Sequence, residues 1–502
     1  MAGLLAGLLA AGVLAPVGEA LPQRNVAYRA AVAQARDSGE APTEALARAA
    51  AADGGTRVEV ASLREERRDV FANPDGSFTA QEYAQPVRAR RDGHWVPVDD
   101  TLVKRADGTY SPKAATIELS FSGGGAGPFA RMRRAGRGYA LTWPNGNLPA
   151  PQVDGETARY AEVLPGVDLA VRAEPEGFSH YLIVKSAEAA ANQALDSIEL
   201  GIDTYGLTVT EADDGILRAT DSAVGGTVFE SSGPLMWDSA GAAPDNGDGT
   251  TADPATDTAR TPGPAHALTA PFRTGVATSP VAGEPAQAGG PALDPARGGR
   301  KAPVVLDVSG DRLTLTPDRG LLRGDDTVYP VVIDPAPKTT SRTAWTSVMS
   351  GMPSEQDWKY SDSAGMGKCP LNYSPKSCEG IGVRRLLFTF PMSYYRGKQI
   401  ISTELSARIA HVYWADASAE PVDLYRIGGK NYRVTSSSDW GNTKDDWDDY
   451  LATVDKKISP TSCSSQANLH FSNGELLSEA KAAASGGWTY LSLGLKAKDE
   501  GS

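Results

Sequence analysis

The chain lacks the residue patterns that mark the common enzyme classes. Its five histidines include no His-Glu-x-x-His, which excludes a zincin protease in its usual form. Neither a P-loop nor a dinucleotide-binding fingerprint is present; Gly123-Gly124-Gly125-Ala126-Gly127 is glycine-rich but has no following Lys-Ser/Thr to handle phosphate, so it reads as a flexible loop. The three cysteines form no Cys-x-x-Cys and have no nearby His, which makes a zinc site a poor reading, and the sequence offers no reason to expect a cofactor. Positive charge is also scarce. With 49 Lys and Arg against 62 Asp and Glu, the net charge is −13, which argues against a nucleic-acid or anionic-membrane partner because both need a basic footprint. No stretch approaches the roughly 18 apolar residues of a membrane span, so none is expected.

What is present is loop chemistry and short strands. The 502 residues carry 53 Gly and 34 Pro with only 7% aromatics, which suits two or three domains with loose connectors better than one compact enzyme. Turn signals recur at close spacing: Asn73-Pro74-Asp75-Gly76, Asp107-Gly108, Pro144-Asn145-Gly146, Asp154-Gly155, Pro165-Gly166 and Asp214-Gly215. Such punctuation favours antiparallel strands over units with long crossover helices. Thr79 to Arg90, the turn at Arg91-Asp92-Gly93 and His94–Val98 read as a hairpin. Within this region only Ala187–Leu195 reads as helix.

The fold class expected is therefore all-β: an antiparallel β-rich N-terminal domain, then a jelly-roll β-sandwich, preceded by an Ala-rich helical leader. Residues 1–20 read as a secretory signal peptide, with the apolar run Leu4–Leu14 and a small-x-Ala site at Gly18-Glu19-Ala20. No Lys or Arg precedes that run, which leaves open a start codon further upstream or a simple Ala/Leu helix. Residues 21–52 form the leader and 53–336 the first domain. Residues 241–300 read as a disordered insertion looping out of that domain, since a segment rich in Ala, Gly, Pro and Thr with Phe272 as its one aromatic buries too little to offset ordering entropy. The strands at Val304–Val308, Leu313–Leu315 and Tyr329–Pro335 return to the first domain, and 337–502 is the second module.

That module opens on Arg384-Arg385-Leu386-Leu387-Phe388-Thr389-Phe390, followed by Ile400-Ile401-Ser402-Thr403-Glu404-Leu405, Val422-Asp423-Leu424-Tyr425-Arg426 and Trp440-Gly441-Asn442. The order resembles the DNRLRE domain of secreted bacterial surface proteins. The first domain carries Tyr160–Leu169, Gly177-Phe178-Ser179-His180, Met236-Trp237-Asp238 and the Tyr-Pro-Val-x-Ile-Asp-Pro close at 329–335. With Asn73–Gly76, these are similar to the N-terminal region of large actinobacterial exoproteins that carry LamG-like or RHS repeats further along. These resemblances imply binding rather than catalysis, and further domains beyond Leu495–Glu500, where the sequence stops just past the last strand. Some DNRLRE domains bind carbohydrate, which implies a polysaccharide or cell-wall glycan as partner.

Catalytic residues are not expected. Ser179-His180 is the only Ser-His neighbour pair, but it lacks the second Gly of a nucleophile elbow and leads into a strand. Asp445, Asp446, Asp448 and Asp449 surround Trp447; read as chemistry they suggest a secreted polysaccharide-degrading enzyme, and read plainly they are a solvated acidic loop. Clustered oxygens also suit calcium, but the spacing matches no recognised loop, so no metal is assigned. Aromatic rings stack on sugar C–H faces, which makes Trp447, Trp440 and Tyr425 the candidate ligand-binding residues. Trp447 is expected exposed in its loop, while Trp440 and Trp488 are expected in the core. Trp414 belongs to the same set. Cys369 and Cys378 lie in a loop rich in Gly, Pro, Ser and Asn and form the expected disulfide, worth about 2–3 kcal/mol, with Cys463 left over.

Overall fold

The computed structural model describes residues 20–211, 217–231, 234–240, 293, 300–334, 337–339, 343–360, 365–368, 381–409, 421–455 and 469–501. Strands dominate, paired almost throughout in antiparallel fashion. The chain divides into two packing units at Tyr83.

The first unit holds helices Ala20–Ser38 and Glu44–Gly54 and the strands Glu40–Ala41, Val58–Val60, Arg68–Ala72 and Phe78–Glu82, hydrogen-bonded in that order. Thr43 caps the second helix by accepting from Leu46 N, and Ala47, Ala50 and Ala51 on its inner face are fully buried. The Ala-rich segment is thus part of a packed unit that runs past Ala52 to Tyr83. The reading of Thr79–Arg90 as one strand needs correction. Phe78–Glu82 pairs back onto Arg68–Ala72, while Arg88–Arg91 pairs with His94–Pro97, and Pro86 between them has no N–H to continue a ladder. The two-residue turn Asp92-Gly93, both at positive φ, closes that second hairpin in the geometry that strand twist favours.

From Asp99 onward an eight-stranded sheet and an eleven-stranded sheet share one core. Phe121, Phe129, Met132 and Leu141 enter it from the first sheet and Leu169, Phe178 and Leu182 from the second, an arrangement of sandwich type. The hairpin Val167–Glu174 with Gly177–Val184 is buried almost throughout, because its other face packs Ala170, Tyr181 and Ile183 against Trp237 and Val332. The strands after the insertion return to the same sheets: Arg312–Thr316 pairs with Ile198–Tyr205, and Val331–Asp334 pairs with Gly177–Val184. Asp238, fully buried, holds the base of that insertion. Its Oδ1 accepts from Ala240 N at 3.1 Å and Arg300 N at 2.8 Å, and Asp238 N donates to Arg300 O at 3.0 Å, so the chain leaves and re-enters at one point. Residues 241–292 and 294–299 lie outside the described residues.

Pro337–Thr339 still belongs to the first sandwich, pairing with Gly177–Val184 and Thr227–Ser231. The second module begins with Ala344–Met349. Its main sheet runs in the order Met352–Trp358, Ala344–Met349, Val383–Pro391, Tyr490–Ala497, Val422–Ile427, Trp447–Val454, with Gly367–Lys368 on Val383–Pro391. Period-two alternation divides its side chains. Leu386, Phe388, Leu491, Leu493 and Leu495 face helix Gly474–Ser485 and the small sheet Leu405–Ala407/Leu469–Phe471, whereas Leu387 and Ile427 face Val434 on the opposite side.

Lys359 joins the first sandwich to the second module. Its side chain is 1% exposed, and Nζ meets Glu176 Oε2 at 2.9 Å while lying over the rings of Trp345 and Trp358. Lys301 and Glu355 form a second bridge at 3.2 Å.

Candidate functional site

Tyr425, Trp440 and Trp447, far apart in sequence, meet on the face of the second sheet opposite its long helix. Strand pairing brings them together. Tyr425 and Ile427 point to this face from Val422–Ile427, Trp447 opens the adjacent strand, and Trp440 begins a one-turn helix whose Asp439 and Asn442 form a reciprocal capping box. Gly494 lies beneath Trp447. A Cβ there would meet Ile427 Cδ1 at 2.6 Å and Trp447 Cη2 at 2.8 Å, so only glycine lets the indole lie across the strand.

Cations interleave the rings. The Arg385 guanidinium is 4.4 Å from the centre of the Trp440 ring and 4.8 Å from that of Trp447, and a bidentate pair with Glu500 at 2.7 and 2.8 Å fixes its plane. Lys496 Nζ is 4.4 Å from the Tyr425 ring and 5.3 Å from the Trp447 ring. Tyr425 meets Trp447 edge-on at 5.7 Å and Tyr450 edge-on at 5.6 Å. The result is a row, Trp440–Arg385–Trp447–Tyr425–Tyr450, in which Tyr450 at its end is 51% exposed. Burial, with Asp423 adding to it, raises the Tyr425 phenol above its ordinary value. Tyr450 Oη shares a 2.7 Å hydrogen bond with Thr453 Oγ1, which donates to the buried Asp423 carboxylate at 2.5 Å.

Trp447 is not in an exposed loop. It starts the strand Trp447–Val454, is half-buried, and its Nε1 is buried without a hydrogen-bond acceptor. The second half of the acidic run sits in strand beside Arg426 of the neighbouring strand: Nη1 reaches Asp448 Oδ2 at 3.1 Å, Nη2 contacts Asp449 Oδ2, and Nε lies 3.3 Å from Glu479 Oε2. Burial raises the Glu479 carboxyl above its usual range. Asp448 and Asp449 therefore converge on one guanidinium as an ion-paired cluster. Trp440 and Trp488, expected in the core, are both half-buried, Trp488 against the helix-side cluster.

Ser179 and His180 make no dyad. Ser179 Oγ donates to Glu174 Oε1 at 2.6 Å, while His180 is 2% exposed between Phe129 and Phe178 with neither ring nitrogen hydrogen-bonded. Among the described residues no three His, Cys, Asp or Glu side chains are placed to hold a metal ion, and no helix is long and apolar enough to cross a membrane. Cys369, Cys378, Cys463 and Trp414 lie outside the described residues.

Sequence reasoning missed Arg385, Lys496 and Tyr450 as members of this face. Period two in Tyr490–Ala497 puts Lys496 opposite the leucines, but which ring lies over it depends on the register Tyr425↔Gly494, a long-range pairing. No family model matches the chain, and neither a curated protein nor a solved structure does.

Proposed function

We propose that the chain is a non-catalytic scaffold and adhesion region of a larger secreted or cell-surface protein, whose second module, a DNRLRE-like jelly roll, holds a polysaccharide or cell-wall glycan. The aromatic row Trp440–Trp447–Tyr425–Tyr450 carries this reading. A row of rings held rigid by interleaved cations supplies flat apolar area at little conformational cost, and the Tyr450 hydroxyl at its exposed end suits sugar hydroxyls. The engagement of Asp448 and Asp449 by Arg426 supports binding without turnover.

The exposed end of the row supplies the test. Tyr450→Ala should lower affinity for a bound glycan about fivefold to tenfold, an aromatic contact being worth roughly 1 kcal/mol, and leave the melting temperature in place. Trp447→Ala, by contrast, should lower both, because its ring is half-buried against Ile427 and Gly494. Full glycan affinity in Tyr450→Ala would remove the row from the binding site.

A further inference from the structure

The helix Gly474–Ser485 ends in a cluster of positive charge unusual for a chain of net charge −13. The carbonyl end of a helix is partially negative, and here two cations answer it: Lys430 Nζ donates to Gly486 O at 2.9 Å and Arg396 Nη2 to Gly487 O at 3.4 Å. Two more cations are left over. An open groove of 380 Å³ beside this helix end is lined by Lys398, Gln399, Ile400, Ile401, Lys481 and Ser485. Lys398 Nζ lies over the Tyr394 ring at 4.6 Å, and neither lysine has a carboxylate partner among the described residues. Among the described residues Glu404 pairs with His470 at 2.7 Å, Glu479 with Arg426 at 3.3 Å, and Glu475 stands in the first turn at the helix's other end.

Three kinds of group therefore meet in one groove. Ile401, 58% exposed, offers an apolar floor, Gln399 offers an amide, Ser485 Oγ, which donates to Lys481 O at 2.8 Å, offers an acceptor, and the two ammoniums offer charge. An apolar floor beside neutral hydrogen-bonding groups fits a sugar ring, and the charges fit an acidic one. The acidity of the rest of the chain does not cancel this, because charges beyond about 8 Å are largely screened at physiological salt. We propose that this groove binds an acidic glycan, with Lys398 and Lys481 holding its carboxylate or phosphate groups. The proposal rests on the glycan-binding reading of the second module and adds a site away from the aromatic row.

The test uses the full chain with four probes at physiological salt, about 150 mM: polygalacturonate, a glycerol-phosphate polymer, single-stranded DNA and neutral dextran. The double variant Lys398→Ala/Lys481→Ala should bind the preferred anionic polymer roughly tenfold more weakly than the wild type, two exposed charge contacts at somewhat under 1 kcal/mol each, with no change in melting temperature. Preference between the first two probes assigns carboxylate or phosphate. Tyr450→Ala should leave this binding intact. The proposal fails if neither anionic polymer binds, if the double variant binds as tightly as the wild type, or if single-stranded DNA binds more tightly than both polymers. Binding of neutral glycan with no anionic binding would sink the groove alone, whereas loss of all glycan binding would sink the reading beneath it.

Discussion

Lys359→Met should lower the unfolding free energy of the protein by about 3–5 kcal/mol, because it removes the buried ammonium that meets the Glu176 carboxylate in a nearly dry junction. A buried pair is costly to break and nearly neutral to replace, since each ion has already lost its water. Lys359→Met/Glu176→Leu should therefore recover most of the loss. Chemical denaturation of the three proteins decides it, and a Lys359→Met cost below about 1 kcal/mol would mean that the ammonium is dispensable at the junction. The position rules out a mere surface effect: Lys359 sits at positive φ after the strand Met352–Trp358, and Glu176 lies in the turn of the central buried hairpin of the first sandwich. The same pair links the first sandwich to the second module, so the single variant should weaken both together in one transition.

His180 should make the protein acid-sensitive. Burial between Phe129 and Phe178 lowers its imidazole from 6.5 to about 3, so the folded state holds it neutral while the unfolded chain takes up a proton. A folded value below the unfolded one means that stability is intact above pH 6.5 and drains away as pH falls toward 3: about 2 kcal/mol at pH 5 and roughly 4 near pH 3.5. Asp100 works in the opposite sense. Burial first, then the charges of Glu174, Glu156 and Asp99, lifts its carboxyl from 3.8 to about 7, so it costs stability as pH rises through that range. The two trends offset in the wild type, and the variant separates them. His180→Leu, compared with the wild type by denaturant melts at pH 7 and pH 5, should gain about 2 kcal/mol on the acid side. Parallel pH profiles for the two proteins would show that His180 does not titrate on unfolding.

The sequence made much of this legible, and the gaps have physical causes. Asp92-Gly93 announced its hairpin because the positive φ that the turn demands restricts which residues fit there. The return of strands at Val304 was legible from local pattern, and their docking into the first sandwich followed from a piece too short to fold alone. Trp447 was misplaced because acidic neighbours suggest solvent, and only the facing Arg426, more than twenty positions away, lets Asp448 and Asp449 sit in a strand. Such compensation is invisible to any local window. The Ala-rich segment was read as a leader for a related reason: alanines give no strong apolar stripe, and their burial appears only once Val58–Val60 and Arg68–Ala72 are laid beside them.

Of the site, the aromatic types were legible and the cations between them were not. Tyr425, Trp440 and Trp447 stood out as rings rare in a chain with 7% aromatics, whereas Arg385 and Lys496 gained meaning from register. Arg385 is held by Glu500, near the end of the sequence, and no spacing rule links those two positions.

The central claim, a face that binds glycan and leaves it intact, is tested most directly by one paired measurement. The full chain is applied to a glycan array, and the glycans it retains are then incubated with it and assayed for new reducing ends. Retention with no reducing ends released, and retention of neutral glycans weakened in Tyr450→Ala, is the predicted result. Release of reducing ends by the wild type, abolished by Asp448→Asn or Asp449→Asn, would contradict it and make the acidic strand beside Trp447 a catalytic one.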